Sequence, residues 1–175
     1  MAHQLVDRND SPKPHHAKGL ILDLSEVAQS ALDDISARTG SRSWESAVEP
    51  GVLVVGDAQA LYWVVSNLLE NARVHTPPGS RVRLAVTGPV NDRVLLSVAD
   101  DGPGLGESEL RLVFDRFWRA DTSRSRHSGG SGLGLSIVAA VVDAHRGSVD
   151  VTRSDSSGAC FVVALPAAGE FDVVD

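Results

Sequence analysis

The chain has 175 residues, 42% of them hydrophobic and 22% charged, enough for one domain with a core of its own. A formal net charge of -7 argues against a partner as acidic as nucleic acid. No stretch approaches the roughly 20 apolar residues that span a bilayer, and residues 1–19 lack the apolar segment of a signal peptide, so they are expected to form a polar, proline-bearing lead-in.

Residues 20–38 have helical spacing through Leu24, Val27, Ala28, Ala31, Leu32 and Ile35, with Gly40 as the stop. Residues 44–48 and 52–55 read as short strands around Glu49-Pro50-Gly51. Asp57 is placed to cap a helix over 60–74, and Thr76-Pro77-Pro78-Gly79 breaks that helix. Residues 81–87 alternate as a half-buried strand, 88–92 turn, and 94–99 form the next strand, ending in Asp100-Asp101-Gly102-Pro103-Gly104. A short helix is expected over 107–113. A polar loop follows over 114–130, long enough to point to function or disorder. A helix from about 132 to 145 and a hairpin of 149–151 with 159–165 close the chain. With no repeat and no second core, the pattern is an α/β, two-layer sandwich: a domain over 20–166 and a tail over 167–175.

Both lysines, Lys13 and Lys18, lie in the lead-in, so neither a Walker-type phosphate loop nor the strand lysine of an ordinary protein kinase exists here. The single cysteine, Cys160, sits in an apolar strand pattern and reads as a buried structural thiol.

Three segments could carry chemistry. Asn67 and Asn71 fall on one face of the helix over 60–74. Leu61, Val64, Val65, Leu68 and Leu69 crowd around them, so that face is expected to be buried, and buried amides need partners. Two amides aimed alike suggest a shared guest such as a metal ion carrying phosphates; one capped and one half-exposed asparagine is the plainer alternative. Asp100 with Gly102 and Gly104 offers a carboxylate for an exocyclic amine beside backbone that lets a ligand approach, or simply a turn. Gly129-Gly130-Ser131-Gly132-Leu133-Gly134 opens a helix, where bare N–H groups and the helix dipole suit an anion. Gly134 inside the first turn implies a close backbone approach. The loop between carries Arg116, Arg119, Arg124 and Arg126, just after Arg111, whose forks suit phosphate. Its Phe114, Phe117 and Trp118 either pin the loop or offer a partner surface.

Four motifs thus stand in order: Asn67-x-x-x-Asn71, Asp100-x-Gly102-x-Gly104, Phe114-Asp115-Arg116-Phe117 and Gly130-x-Gly132-Leu133-Gly134. In this order the chain resembles, over residues 20–166, the catalytic ATP-binding domain of bacterial sensor histidine kinases of two-component signalling. Asp121-Thr122-Ser123-Arg124-Ser125-Arg126 and Ala144-His145-Arg146-Gly147 resemble its large osmosensor-like branch. The resemblance implies a Bergerat fold, shared with gyrase B, heat-shock protein 90 and mismatch-repair ATPases: a mixed sheet packed on helices, with ATP under a long flexible lid at about 114–130. By position it implies that Asn67 and Asn71 hold Mg2+ and phosphates and that Asp100 accepts from the adenine amine. Gly102 and Gly104 would give the base room, and Arg119, Arg124, Gly130, Gly132, Leu133 and Gly134 would meet the triphosphate. Phe114 and Phe117 would touch the histidine-bearing dimerisation domain of the same kinase, which relays phosphate to a response regulator. The chain would be the cytoplasmic domain of a membrane-anchored sensor, monomeric in isolation.

Hydrolytic relatives carry glutamate where Asn67 stands, so ATP is expected to be held for transfer rather than hydrolysed, with Glu70 a spare carboxylate. Two positions depart from the family pattern. Val74 replaces a phosphate-contacting Lys or Arg, and His75 replaces an aromatic residue against the base. Neither His15 nor His16 has a phosphoacceptor context. The alternatives are an anti-sigma-factor-type serine kinase of the same fold, which the Phe-x-x-Phe segment argues against, and a non-catalytic nucleotide-sensing module, supported by Val74 alone.

Overall fold

A computed structural model describes residues 20–40, 42–115 and 133–169. In chain order its elements are β1 (Leu20–Asp23), α1 (Leu24–Arg38), β2 (Ser43–Val48), β3 (Leu53–Gly56), α2 (Ala58–His75), β4 (Arg81–Val90), β5 (Arg93–Asp100), α3 (Glu107–Leu112), α4 (Gly134–Ala144), β6 (Ser148–Arg153) and β7 (Ala159–Pro166). The main sheet has the order β2-β4-β5-β7-β6. Its β2–β4 pair is parallel and the other pairs are antiparallel, which makes it the mixed sheet that the resemblance implies. β1 and β3 form a separate antiparallel pair.

Strand alternation decides where the core lies. Val82, Leu84 and Val86 of β4, Val94, Leu96 and Val98 of β5, and Phe161, Val163 and Leu165 of β7 are all buried on one face. Over that face pack Leu24, Ala28, Ala31, Leu32 and Ile35 of α1, Leu61, Val64, Val65, Leu68, Leu69 and Ala72 of α2, and Val138 and Val142 of α4. The result is two layers, with α2 in contact with both α1 and α4.

Several boundaries differ from the sequence reading, each for a local reason. Residues 20–23 are a strand, not the first turn of a helix. The apolar run pairs with β3, and Asp23 then caps α1 by accepting from the Ser25 N–H at 2.8 Å. Helix α2 begins at Ala58, directly after Asp57, whose carboxylate accepts from Ala60 N–H at 2.9 Å. Residues 88–90 continue β4 past a register shift, because Asn91 and Asp92 (φ 52° and 59°) make a two-residue hairpin turn on their own. Helix α4 begins at Gly134 rather than 132. The hydrogen-bonded fold extends beyond Pro166: Ala167 N–H donates to Asp92 O and Ala168 N–H to Leu53 O, each at 3.0 Å. Cys160 is half-buried rather than buried, on the β7 face turned away from the helices, where desolvation pushes its thiol pKa up.

Candidate functional site

Asp100 continues the inward series Val94, Leu96, Val98, so the alternation that builds the core also carries a carboxylate to the end of β5 on the helix side. It is 8% exposed. Its Oδ1 accepts from Gly102 N–H at 2.9 Å and Ala159 N–H at 3.2 Å, and its backbone oxygen accepts from the Ser154 hydroxyl at 2.7 Å. Among the described residues Oδ2 takes no hydrogen bond. Asp100 is thus fixed in orientation with one acceptor to spare, which suits an amine donor.

The glycines around it make room for protein. A Cβ on Gly102 would lie 2.6 Å from Thr76 Cγ2, and one on Gly104 (φ +70°) would lie 2.5 Å from Ser157 O. Gly158, which the sequence reading passed over, faces Asp100 so closely that a Cβ would strike its backbone oxygen. The β6–β7 turn and Thr76 therefore grip the Asp100–Gly104 turn from two sides.

Asn67 and Asn71 share one side of α2 as the spacing requires, but that side is half-buried, not buried. The helix gives its fully buried side to Leu61, Val64, Val65, Leu68, Leu69 and Ala72, and the asparagines border it. Asn67 Nδ2 donates to Trp63 O at 3.0 Å. Its Oδ1 faces Gly134, where a Cβ would sit 3.0 Å away. That is the close approach implied by a glycine in the first turn of α4. The Asn71 amide makes no hydrogen bond among the described residues. Two amide oxygens on one helix face fit a hard cation that keeps most of its ligands as water and phosphate oxygens; no cluster of three His, Cys, Asp or Glu able to hold a metal occurs among the described residues.

Leu133 O accepts from Ile137 N–H at 3.0 Å and the Ser136 hydroxyl at 2.9 Å, which opens α4 directly beside Asn67. The N–H groups of such a first turn have no partner within the helix.

The charged residues near the end of α2 are committed elsewhere. Arg73 and Glu70 form an ion pair on the exposed side, Arg73 Nη2 to Glu70 Oε1 at 2.6 Å, and the hydrogen bond from Arg73 lowers the Glu70 pKa. Val74 is 37% exposed. Arg42, which had no signal in the sequence, donates to the Thr76 hydroxyl, to Arg73 O at 2.9 Å and to Thr76 O at 3.3 Å. It thereby caps the carbonyl end of α2. Burial is the main cause lowering its pKa, with Arg73 second, while Asp100 and Asp101 act in the opposite direction.

Phe114 is anchored in the domain. It is half-buried and packs edge-to-face on core Phe161, centroids 6.2 Å apart at 87°. An aromatic side chain beside a polar loop has reached the nearest buried ring. Arg116, Phe117, Trp118, Arg119, Arg124, Arg126, Gly130 and Gly132 lie outside the described residues.

Residues 56–169 match the family described as "Histidine kinase-, DNA gyrase B-, and HSP90-like ATPase", and the chain belongs to it. It is 44% identical over 167 residues to the "Probable sensor histidine kinase TcrY" of Mycobacterium tuberculosis, covering 94% of this chain and 34% of that one. It is 35% identical over 146 residues to the "Signal transduction histidine-protein kinase BaeS" of Escherichia coli K12, covering 83% and 31%. The chain thus spans about a third of the length of the curated relatives it matches. Among solved structures, "Mycobacterial sensor histidine kinase MprB" superposes with a TM-score of 0.74 at 33% identity, covering 85% of this chain and 97% of that one. Full-length ShkA in complex with AMPPNP gives 0.74 at 27% identity, covering 86% and 31%.

His75 yields a pH prediction. The residue is exposed by surface area, yet atoms crowd its ring enough that desolvation lowers its pKa, with Asp100 pulling the other way. With a lowered folded pKa, the unfolded chain takes up the proton first as pH falls. The contribution to stability is full above the ordinary histidine value of about 6.5 and is lost as pH drops through it. An NMR titration of the His75 ring should give a midpoint below the ordinary histidine range; a midpoint at or above it contradicts the assignment.

Proposed function

We propose that this chain is the ATP-binding catalytic domain of a sensor histidine kinase. It binds ATP with Mg2+ and presents the γ-phosphoryl group to a histidine on a separate dimerisation domain, for relay to a response-regulator aspartate. The observation that carries this reading is the layout along α2. One end of the helix faces Asp100, which has an acceptor oxygen to spare. About two turns away the start of α4 lies against Asn67, with Asn71 between. Such a strip offers an amine acceptor at one end and an anion site at the other, as a nucleoside triphosphate requires. By this reading the parent protein is a membrane-anchored sensor and this domain faces the cytoplasm. Among the described residues no helix is long and apolar enough to cross a membrane.

The chemistry follows from what the residues can and cannot do. Asp100 orients the base through Oδ2 while Oδ1 stays on the backbone. Asn67 and Asn71 would hold Mg2+ through their amide oxygens, and the ion would neutralise phosphate charge. Leu133 and Gly134, with Gly130 and Gly132 before them and Arg119 and Arg124 of the lid, would complete the phosphate site. An amide cannot take a proton from water, so Asn67 is no general base. Glu70 is a poor one, since Arg73 holds its pKa down and its side chain lies on the exposed face. The site therefore supplies positioning and charge rather than an activated water.

Mixed with Mg2+, ATP and the histidine-bearing dimerisation domain, the chain should produce acid-labile phosphohistidine; acid-stable phosphoserine instead would favour a serine kinase. Asp100→Asn keeps an oxygen for the two backbone N–H groups and puts an NH2 where the base amine would donate. It should lower ATP affinity at least a hundredfold by calorimetry, in line with the roughly 3 kcal/mol at stake when a charged acceptor becomes a donor. Wild-type affinity in that variant would remove the base from this pocket. Asn71→Ala should weaken ATP binding mainly when Mg2+ is present, by about tenfold; an equal loss in EDTA would make the residue structural.

A further inference from the structure

His145 is half-buried at the end of α4, in a motif that neither the fold nor the nucleotide site has used. Both of its ring nitrogens are engaged. Asp57 N–H donates to Nε2 at 3.0 Å, and Nδ1 lies 2.7 Å from Val141 O. Since Nε2 accepts, Nδ1 carries the proton and donates to Val141, so the neutral Nδ1–H tautomer is specified. The ring fits only because residue 56 is glycine; a Cβ there would overlap Cδ2 and lie 2.8 Å from Nε2.

Asp57 is the N-cap of α2, the helix that carries Asn67 and Asn71. Helices α2 and α4 therefore meet at two points. Gly134 lies on Asn67, and His145 lies on Gly56 and Asp57. From Asp57 to Asn67 is ten residues along α2, and from Gly134 to His145 is eleven along α4. At 1.5 Å per residue both spans are about 15–17 Å. The matched lengths describe α4 lying antiparallel to the first part of α2 and pinned to it at both ends of α4, each pin a polar side chain received by a glycine.

We propose that His145 is a positioning residue for the phosphate half of the site. By tying the end of α4 to the N-cap of α2 it sets the register of the two helices, and hence how the start of α4 sits over the Asn67 amide. This rests on the nucleotide reading above. It separates the two halves of the ligand, because Asp100 belongs to β5 and its hydrogen bonds come from Gly102, Ser154 and Ala159, none of which lies on α2 or α4.

The test compares the whole chain with its His145→Leu and Gly56→Ala variants, measuring affinity for Mg·ATP by calorimetry and for adenosine by NMR shift titration. Gly56→Ala removes no polar group and acts only by displacing the ring. Both variants should lose about tenfold in Mg·ATP affinity, as when a group supporting a ligand shell is removed, while adenosine binding is unchanged. The wild-type ring should show the Nδ1–H tautomer in long-range 1H–15N spectra. Unchanged Mg·ATP binding, an equal loss for both ligands, or an Nε2–H tautomer overturns the inference. A wild-type chain that binds neither ligand overturns the nucleotide reading itself, a result distinct from all three.

Discussion

Helix α2 must serve as a wall of the core and as a wall of the site, and the second duty is set by the first. Leu61, Val64, Val65, Leu68 and Leu69 are each no more than 2% exposed, so their burial fixes how the helix is rotated over the sheet. Once that rotation is fixed, Asn67 and Asn71 can only lie along the border of the buried stripe. There their backbone is held as firmly as the core while their amides remain within reach of a ligand. A polar pair at the centre of the stripe would have to find partners inside the protein. A pair on the outer side would have no second wall. The border position gives each amide a rigid base, and α4 supplies the opposite wall.

The same economy governs Asp100. A strand that buries alternate residues carries whatever stands at the next inward position to the helix face, and after Val94, Leu96 and Val98 that residue is a carboxylate. Its burial is tolerable because two backbone N–H groups converge on Oδ1. Those donors come from Gly102 and Ala159, so the carboxylate is locked by its own turn and by the neighbouring strand together. Glycine at 102, 104 and 158 is then a packing requirement as much as an opening for a ligand.

Much of this was legible in the sequence, for a physical reason. Periodic burial leaves a periodic trace, so α2, β4, β5 and β7 were readable to within a few residues, and with them the relation of Asn67 to Asn71 and the place of Asp100. Local turn chemistry was only partly legible. Asn91-Asp92 closes a hairpin as well as glycine would, and Asp23 marks a helix start that the preceding apolar run obscured. Long-range polar contacts left no trace. Arg42 reaches residues 31 and 34 positions away, Ala159 reaches Asp100 across 59, and Asp57 reaches His145 across 88. Nothing in the neighbourhood of any of these residues announces its partner. The half-burial of the asparagines was missed for a related reason: spacing tells that two residues share a face, not how deep the face lies.

The exchange of a basic residue for Val74 shifts the electrostatic load of the proposed site. Arg73 lies one residue away, but a helix turns about 100° per residue, and its guanidinium is bound to Glu70 on the exposed side. Arg42 feels the charge of Asp100, but its donors point at the carbonyl end of α2. Drawing either cation to a triphosphate would strip Glu70 of its partner or uncap the helix that carries the asparagines. In the reading advanced above, phosphate charge therefore falls to Mg2+, to the first turn of α4 and to the lid arginines. The described walls supply amides, a helix N-terminus and one carboxylate, and their nearby guanidinium groups are already committed, so a triphosphate there would depend on Mg2+ for most of its neutralisation.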